Sequence, residues 1–133
     1  MIVVDASAVL AILLDEPEAG AFSDILAEAS EAFITPVNFW EVMVRARSLG
    51  GEPGAQTAQT LMTALGLQIA STSGAQAQLA VEAATRFGRG TPAALNLGDC
   101  FAYALAKSES CGLLFKGADF ARTDVEQVAP GHT

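Results

Sequence analysis

The first seven residues, Met1-Ile2-Val3-Val4-Asp5-Ala6-Ser7, constrain the fold more than any other stretch. A run of strand-favouring residues with no polar alternation reads as a strand buried on both faces, and sheets covered on both faces are parallel α/β sheets. The run ends in an acid followed by a hydroxyl. In an open parallel sheet, ligands bind outside the carboxyl ends of the strands, so Asp5 stands where a site would be. Asp and Ser are also ordinary helix N-caps, and either residue can simply start the helix expected over Ala8 to Leu14.

The remaining elements follow from periodicity. Pro17 is expected in the first turn of a helix carrying Ala19, Phe22, Ile25, Leu26 and Ala29 on one face. Ala32-Phe33-Ile34 forms a short strand before Thr35-Pro36, since proline holds the preceding residue extended. Val37 to Leu49 is helical, with Phe39, Trp40, Met43 and Val44 as its apolar residues and Gly50-Gly51 as its stop. Glu52-Pro53-Gly54 then reads as a linker, Ala55 to Leu65 as a helix, Leu67 to Ala70 as a strand and Gly74 to Phe87 as a helix. Gly88-Arg89-Gly90-Thr91-Pro92-Ala93 matches a dinucleotide-binding spacing but follows a helix and carries proline where the phosphate-binding helix should start, so it is excluded. Asn96 to Asp99 opens a helix running from Cys100 to Ser108, and Leu113 to Phe115 and Val125 to Val128 are strands flanking a loop. Strands alternating with helices predict an α/β fold: a single domain over residues 1–133 with a central parallel sheet of four to five strands covered by helices on both faces. The tail 129–133, with the sole histidine His132, is expected to be disordered.

Four acids stand out by position, three of them following a strand directly or through one turn. Asp5 follows the first strand, Glu41 lies in the helix after the second, Asp99 stands at a helix start and Asp119 follows the fourth strand. Right-handed crossovers bring such positions to one edge of the sheet. Each acid alone also has an ordinary reading, as solvated helix residue, dipole partner or turn former. Together they repel, and carboxylate oxygens with open positions suit hard cations, Mg2+ or Mn2+, which lower the pKa of a bound water and bridge to phosphate. The reaction that this chemistry supports is phosphodiester hydrolysis. Ser7 and Asn96 are candidates to orient a carboxylate or a water, or are plain caps. Cys100 and Cys111 lack the spacing of a zinc site and read as free thiols.

Charge limits the partners. Fifteen acids against seven bases leave a net charge of −8, which argues against a broad non-specific nucleic-acid surface but not against an acid-lined metal pocket. The apolar run from Ile2 to Leu14 is interrupted by Asp5 and Ser7 and falls short of the roughly 20 residues that cross a bilayer, so a cytoplasmic protein is expected.

The Ile2 to Ala8 start, the Glu41 helix, Leu97-Gly98-Asp99-Cys100-Phe101-Ala102-Tyr103-Ala104-Leu105-Ala106 and Leu114-Phe115-Lys116-Gly117-Ala118-Asp119-Phe120 resemble PIN-domain ribonucleases of the VapC toxin kind. The resemblance implies a metal-binding quartet of Asp5, Glu41, Asp99 and Asp119, with Asp124 accessory. It also implies RNA cleavage and neutralisation by a cognate antitoxin, whose tail would lie on the Ala8 to Leu14 and Phe22, Ile25, Leu26 faces. Assembly as a homodimer is expected as well. The seven bases are fewer than in many such toxins. Two other classes stand beside this reading: a non-catalytic PIN-like binding module, and an acidic-pocket phosphoacceptor domain, which would need an acid after the third strand, where Ser71-Thr72-Ser73 stands.

Overall fold

The computed structural model of the chain describes residues 1–128. The expectations for the 129–133 tail and His132 lie outside the described residues. Five short strands, β1 (Ile2–Val4), β2 (Ala32–Ile34), β3 (Leu67–Ile69), β4 (Gly112–Leu114) and β5 (Gln127–Val128), form one parallel sheet in the order β3-β2-β1-β4-β5. The chain winds outward from β1 through β2 to β3, then crosses back to place β4 on the other side of β1. The order therefore reverses between β1 and β4, and a crevice opens at the carboxyl ends of those two strands.

Helices α1 (Ala6–Leu13), α2 (Ala19–Glu28) and α3 (Pro36–Ala64) cover one face, and α4 (Gly74–Phe87) and α5 (Leu97–Ser108) cover the other. The pleat divides the central residues between them. Val3 and Leu113 pack with α4 and α5, whereas Val4 and Leu114 pack with α1, α2 and α3. All four are inaccessible to solvent, which is why these strands carry no polar alternation.

Several boundaries differ from expectation for local reasons. α1 begins at Ala6, because the Asp5 side chain accepts the Ser7 N–H and caps it. Pro17 lies in a turn ahead of α2 rather than inside its first turn. The expected break at Gly50-Gly51 is a bend within α3: Gly51 leaves helical space at φ 66°, ψ −158°, and the chain resumes as a helix through Pro53, so the supposed linker is the first turn of the second segment. That segment folds back closely, since a Cβ at Gly54 would stand 2.6 Å from the Ala46 carbonyl oxygen. α5 starts at Leu97 under the Asn96 cap. Asp119 begins a 3-10 turn, Asp119–Arg122, rather than ending a loop. On α2, Phe22 and Leu26 point into the core, so the face expected to receive a partner is largely used by packing. Among the described residues no helix is long and apolar enough to cross a membrane.

Leu113 is fully enclosed at the centre of the α4 and α5 layer. Leu113→Ala is expected to lower the unfolding free energy by about 2–5 kcal/mol, while Leu49→Ala on the exposed side of α3 changes it by under about 0.5 kcal/mol. Urea denaturation of the two variants checks this.

Candidate active site

The crevice holds a cavity of about 530 Å³ lined by all four acids of the sequence analysis, Asp5, Glu41, Asp99 and Asp119, together with Ser7 and Asn96. Each acid arrives on a different element. Asp5 leaves β1, where its N–H donates to the Leu114 carbonyl of β4 (2.9 Å), so the strand pairing itself fixes its backbone. Ser7 joins the same two strand ends: its Oγ accepts the Lys116 N–H (3.0 Å) and its own N–H donates to Asp5 Oδ2 (3.0 Å). Asp99 and Asn96 bond reciprocally, with the Asp99 N–H donating to Asn96 Oδ1 (2.9 Å) and the Asn96 N–H to Asp99 Oδ2 (3.0 Å). This capping box fixes the first turn of α5 and aims the carboxylate into the cavity. Asp119, exposed, opens the 3-10 turn after β4.

Glu41 is held by residues that the hydrophobic pattern did not single out. Thr35 caps α3, and its hydroxyl both accepts the Asn38 N–H (2.9 Å) and donates to Asn38 Oδ1 (2.6 Å). The fully buried Asn38 then donates from Nδ2 to Glu41 Oε1 (2.8 Å) and to the Gly98 carbonyl (3.1 Å), locking α3 to α5. A Cβ at Gly98 would collide with the Glu41 carboxylate, so any side chain there would displace Glu41 from this position. Thr at an N-cap followed at helical spacing by Asn and Glu was the available sequence signal. Trp40, Val44, Arg45 and Ser48 of the same helix also line the cavity.

Asp124 is elsewhere. It does not line the cavity; it accepts from the Tyr103 hydroxyl (2.5 Å) and pairs with Arg86 (3.4 Å) and Lys107 (3.5 Å), bracing the chain after β4 against α4 and α5. Nothing from the end of β3 reaches the cavity, so the acid that a phosphoacceptor domain needs there has no counterpart.

The electrostatics are those of a crowded acid cluster. Burial pushes the Asp5 carboxyl above its ordinary range, partly opposed by the Ser7 and Ala6 donors, with Asp119 adding to the rise. Burial likewise raises Glu41, against the Asn38 bond and with the help of Asp5. Asp99 is pushed up to about 6, first by burial and then by the charges of Asp5, Asp119 and Glu41, against the Asn96 N–H. Asp5 is only 4% exposed, and its Oδ1 has no hydrogen-bond partner among the described residues. A buried carboxylate oxygen without a donor is costly, and a proton or a cation relieves it. An all-oxygen donor set with one orphaned member fits a hard divalent ion. Among the described residues no three of these groups stand close enough to share one ion, so three-fold ligation requires a side chain to move, for which the exposed Asp119 has room. Cys100 is buried, its thiol held above the ordinary range by burial and by Asp99, and it supplies no thiolate.

Comparison with known proteins converges with this geometry. A family model described as the PIN domain matches residues 2–126. The chain is 37% identical over 127 residues to the ribonuclease VapC of Mycolicibacterium smegmatis, covering 95% of this chain and 98% of that one. It is 34% identical over 128 residues to ribonuclease VapC30 of Mycobacterium tuberculosis, with coverages of 96% and 98%. In structure it is similar to Mycobacterium tuberculosis VapC20, described as a sarcin-ricin loop cleaving toxin, with a TM-score of 0.78 at 14% identity over 96% of this chain and 98% of that one. A chain of a toxin-antitoxin complex from Klebsiella pneumoniae matches with a TM-score of 0.72 at 20% identity, each chain fully covered.

The raised carboxyls have a consequence for stability. Between about pH 4, where a free aspartate titrates, and about 6, the folded chain keeps an Asp99 proton that the unfolded chain has lost, so this stabilising proton is fully present below about 4 and lost as the pH rises through about 6. Asp5 and Glu41 shift in the same direction and add to the fall. Asp124, lowered by the Tyr103 hydroxyl and by Lys107 and Arg86, acts in the opposite sense but below this window. The metal-free protein is expected to melt at a lower temperature at pH 7.5 than at pH 4.5, and Asp99→Asn should flatten that fall; thermal melts in EDTA across the range check both.

Proposed function

The chain belongs to the PIN-domain family and, within it, to the VapC ribonucleases, and from that premise we propose that it is the endoribonuclease toxin of a toxin-antitoxin pair. The observation that carries the reading is the gathering of Asp5, Glu41, Asp99 and Asp119, from four separate elements, around one cavity at the strand ends. In this reading the four acids hold Mg2+, with Mn2+ able to replace it. The ion, when bound, supplies an activated water and offsets the charge of the phosphate at the bond that is cut. The chain's own groups do the positioning. The Ser7 N–H occupies Asp5 Oδ2 and leaves Oδ1 free for a ligand. Asn38 holds one oxygen of Glu41, leaving the other to face the cavity. Asp99, raised to about 6 by burial and by the neighbouring acids while no cation offsets them, would be kept ionised by the ion it helps to hold.

The partners follow from the same reading: RNA as substrate and a cognate antitoxin as inhibitor, in the cytoplasm, with the toxin paired as a homodimer. A protein of net charge −8 with an acidic cavity offers electrostatic attraction to a cationic antitoxin segment, and a guanidinium from it would compete for the acids that hold the ion. The partner's basic group then belongs at the cavity rather than on the α2 face, where Phe22 and Leu26 are buried.

The test is cleavage of a labelled RNA by the purified chain. Activity is expected with Mg2+ or Mn2+ and not in EDTA, and Asp5→Asn or Asp99→Asn should reduce it by more than about 100-fold while circular dichroism stays unchanged. Undiminished cleavage in EDTA would remove the metal from the mechanism, and absence of any cleavage by the wild type would leave a non-catalytic module.

A further inference from the structure

We infer that Trp40 is a platform on which an unpaired base of the substrate stacks beside the acid cluster, with Arg45 taking an adjoining phosphate; this rests on the nuclease reading and deepens it. Trp40 is the only tryptophan of the chain and is 63% exposed. It is not needed by the core, because α3 packs inward through the buried Val42 and Ala46 and the half-buried Phe39 and Met43. The indole instead lies on the wall of the acidic cavity, next in sequence to Glu41, and Val44 one turn on extends the same apolar surface.

Charge makes an aromatic platform necessary there. Of the seven bases, four stand in ion pairs, Arg47 with Glu52, Arg86 and Lys107 sharing Asp124, and Lys116, which lines the cavity, with Glu16 and Glu18, while Arg89 and Arg122 do not line the cavity. Among the described residues Arg45 is the one base on the cavity wall without an ion pair. One guanidinium neutralises one phosphate, too few to hold a polyanion at an acidic surface by counterion release. Stacking on an aromatic face supplies affinity that does not depend on charge or on base identity. It also requires a base whose face is free, which a duplex does not offer. The side-chain order along α3 suits such binding. Trp40 and Val44 form one strip, and Glu41, Arg45 and Ser48 form the next, so a nucleotide stacked on the first has its phosphate beside the second.

The sole indole makes this directly measurable. In Asp99→Asn, which binds without cutting, a single-stranded 12-nucleotide RNA is expected to quench the emission of Trp40, and the same sequence as a duplex is not. The apparent affinity should fall with salt at a slope of about −0.7 in the logarithmic plot, the value for one phosphate on a single strand. In the cleaving protein, Trp40→Ala should raise KM by roughly 10- to 100-fold with kcat within a few-fold of wild type, and Trp40→Phe should restore most of the loss. Cleavage by wild type with an unchanged KM in Trp40→Ala, or equal quenching by duplex and single strand, overturns the inference while leaving the nuclease reading in place. Quenching by single strand without cleavage by wild type leaves the platform and removes the nuclease. A blue shift of the emission with protein concentration alone, lost on dilution, would show that a second copy of the chain covers Trp40 and would overturn the inference.

Discussion

The pairing of β1 with β4 is the interaction on which the rest depends. It reverses the strand order, opens the crevice and fixes the Asp5 backbone through the Leu114 carbonyl, while Ser7 and Lys116 close the same joint from the side-chain direction. With both faces of the sheet covered, the Asp5 carboxyl at the strand end is buried, and among the described residues one of its oxygens has no donor. A fold chosen for stability alone would place an apolar residue there. The strain of that choice is spread over the neighbours as raised carboxyl pKa values, and a bound cation removes it.

The acids are held by the ends of helices. Asp5 is the N-cap of α1, Asp99 the third residue of α5, Asp119 the first of the 3-10 turn, and Glu41 the end of a short relay from the α3 cap through Asn38. Helix N-termini carry partial positive charge, so the placement of Asp5 and Asp99 at the starts of α1 and α5 also softens their repulsion from the other acids. Capping and site formation are therefore not competing readings of Asp5 or Asn96: the cap is how the side chain is positioned.

The layered parallel sheet was legible because strands buried on both faces leave an unmistakable run, as in Ile2-Val3-Val4 and Leu113-Leu114. So was the coming together of the four acids, which needs only strand order and handedness. What periodicity hid lies within single helices. Trp40 and Val44 fit an apolar stripe, yet only the packed structure shows that Val42 and Ala46 fill the inward face and leave those two outside. Phe22 and Leu26 show the converse, since a stripe does not say whether it meets core or partner, and these two are buried in the core. Asn38 was hidden because a buried amide serves geometry and has no pattern of its own. The bend at Gly51 was visible as a break, but Glu52-Pro53-Gly54 read as a linker although Pro53 stands where prolines also start helices, and the chain takes the second course.

The central claim is that the buried acids form one cation site organised around Asp5. A Mn2+ titration followed by the electron paramagnetic resonance signal of the free ion tests it without reference to any substrate. The predicted result is saturable loss of signal at one or two ions per chain, abolished by Asp5→Asn and weakened by Asn38→Ala, which releases Glu41. Non-saturable uptake, or uptake indifferent to Asp5→Asn, would contradict it.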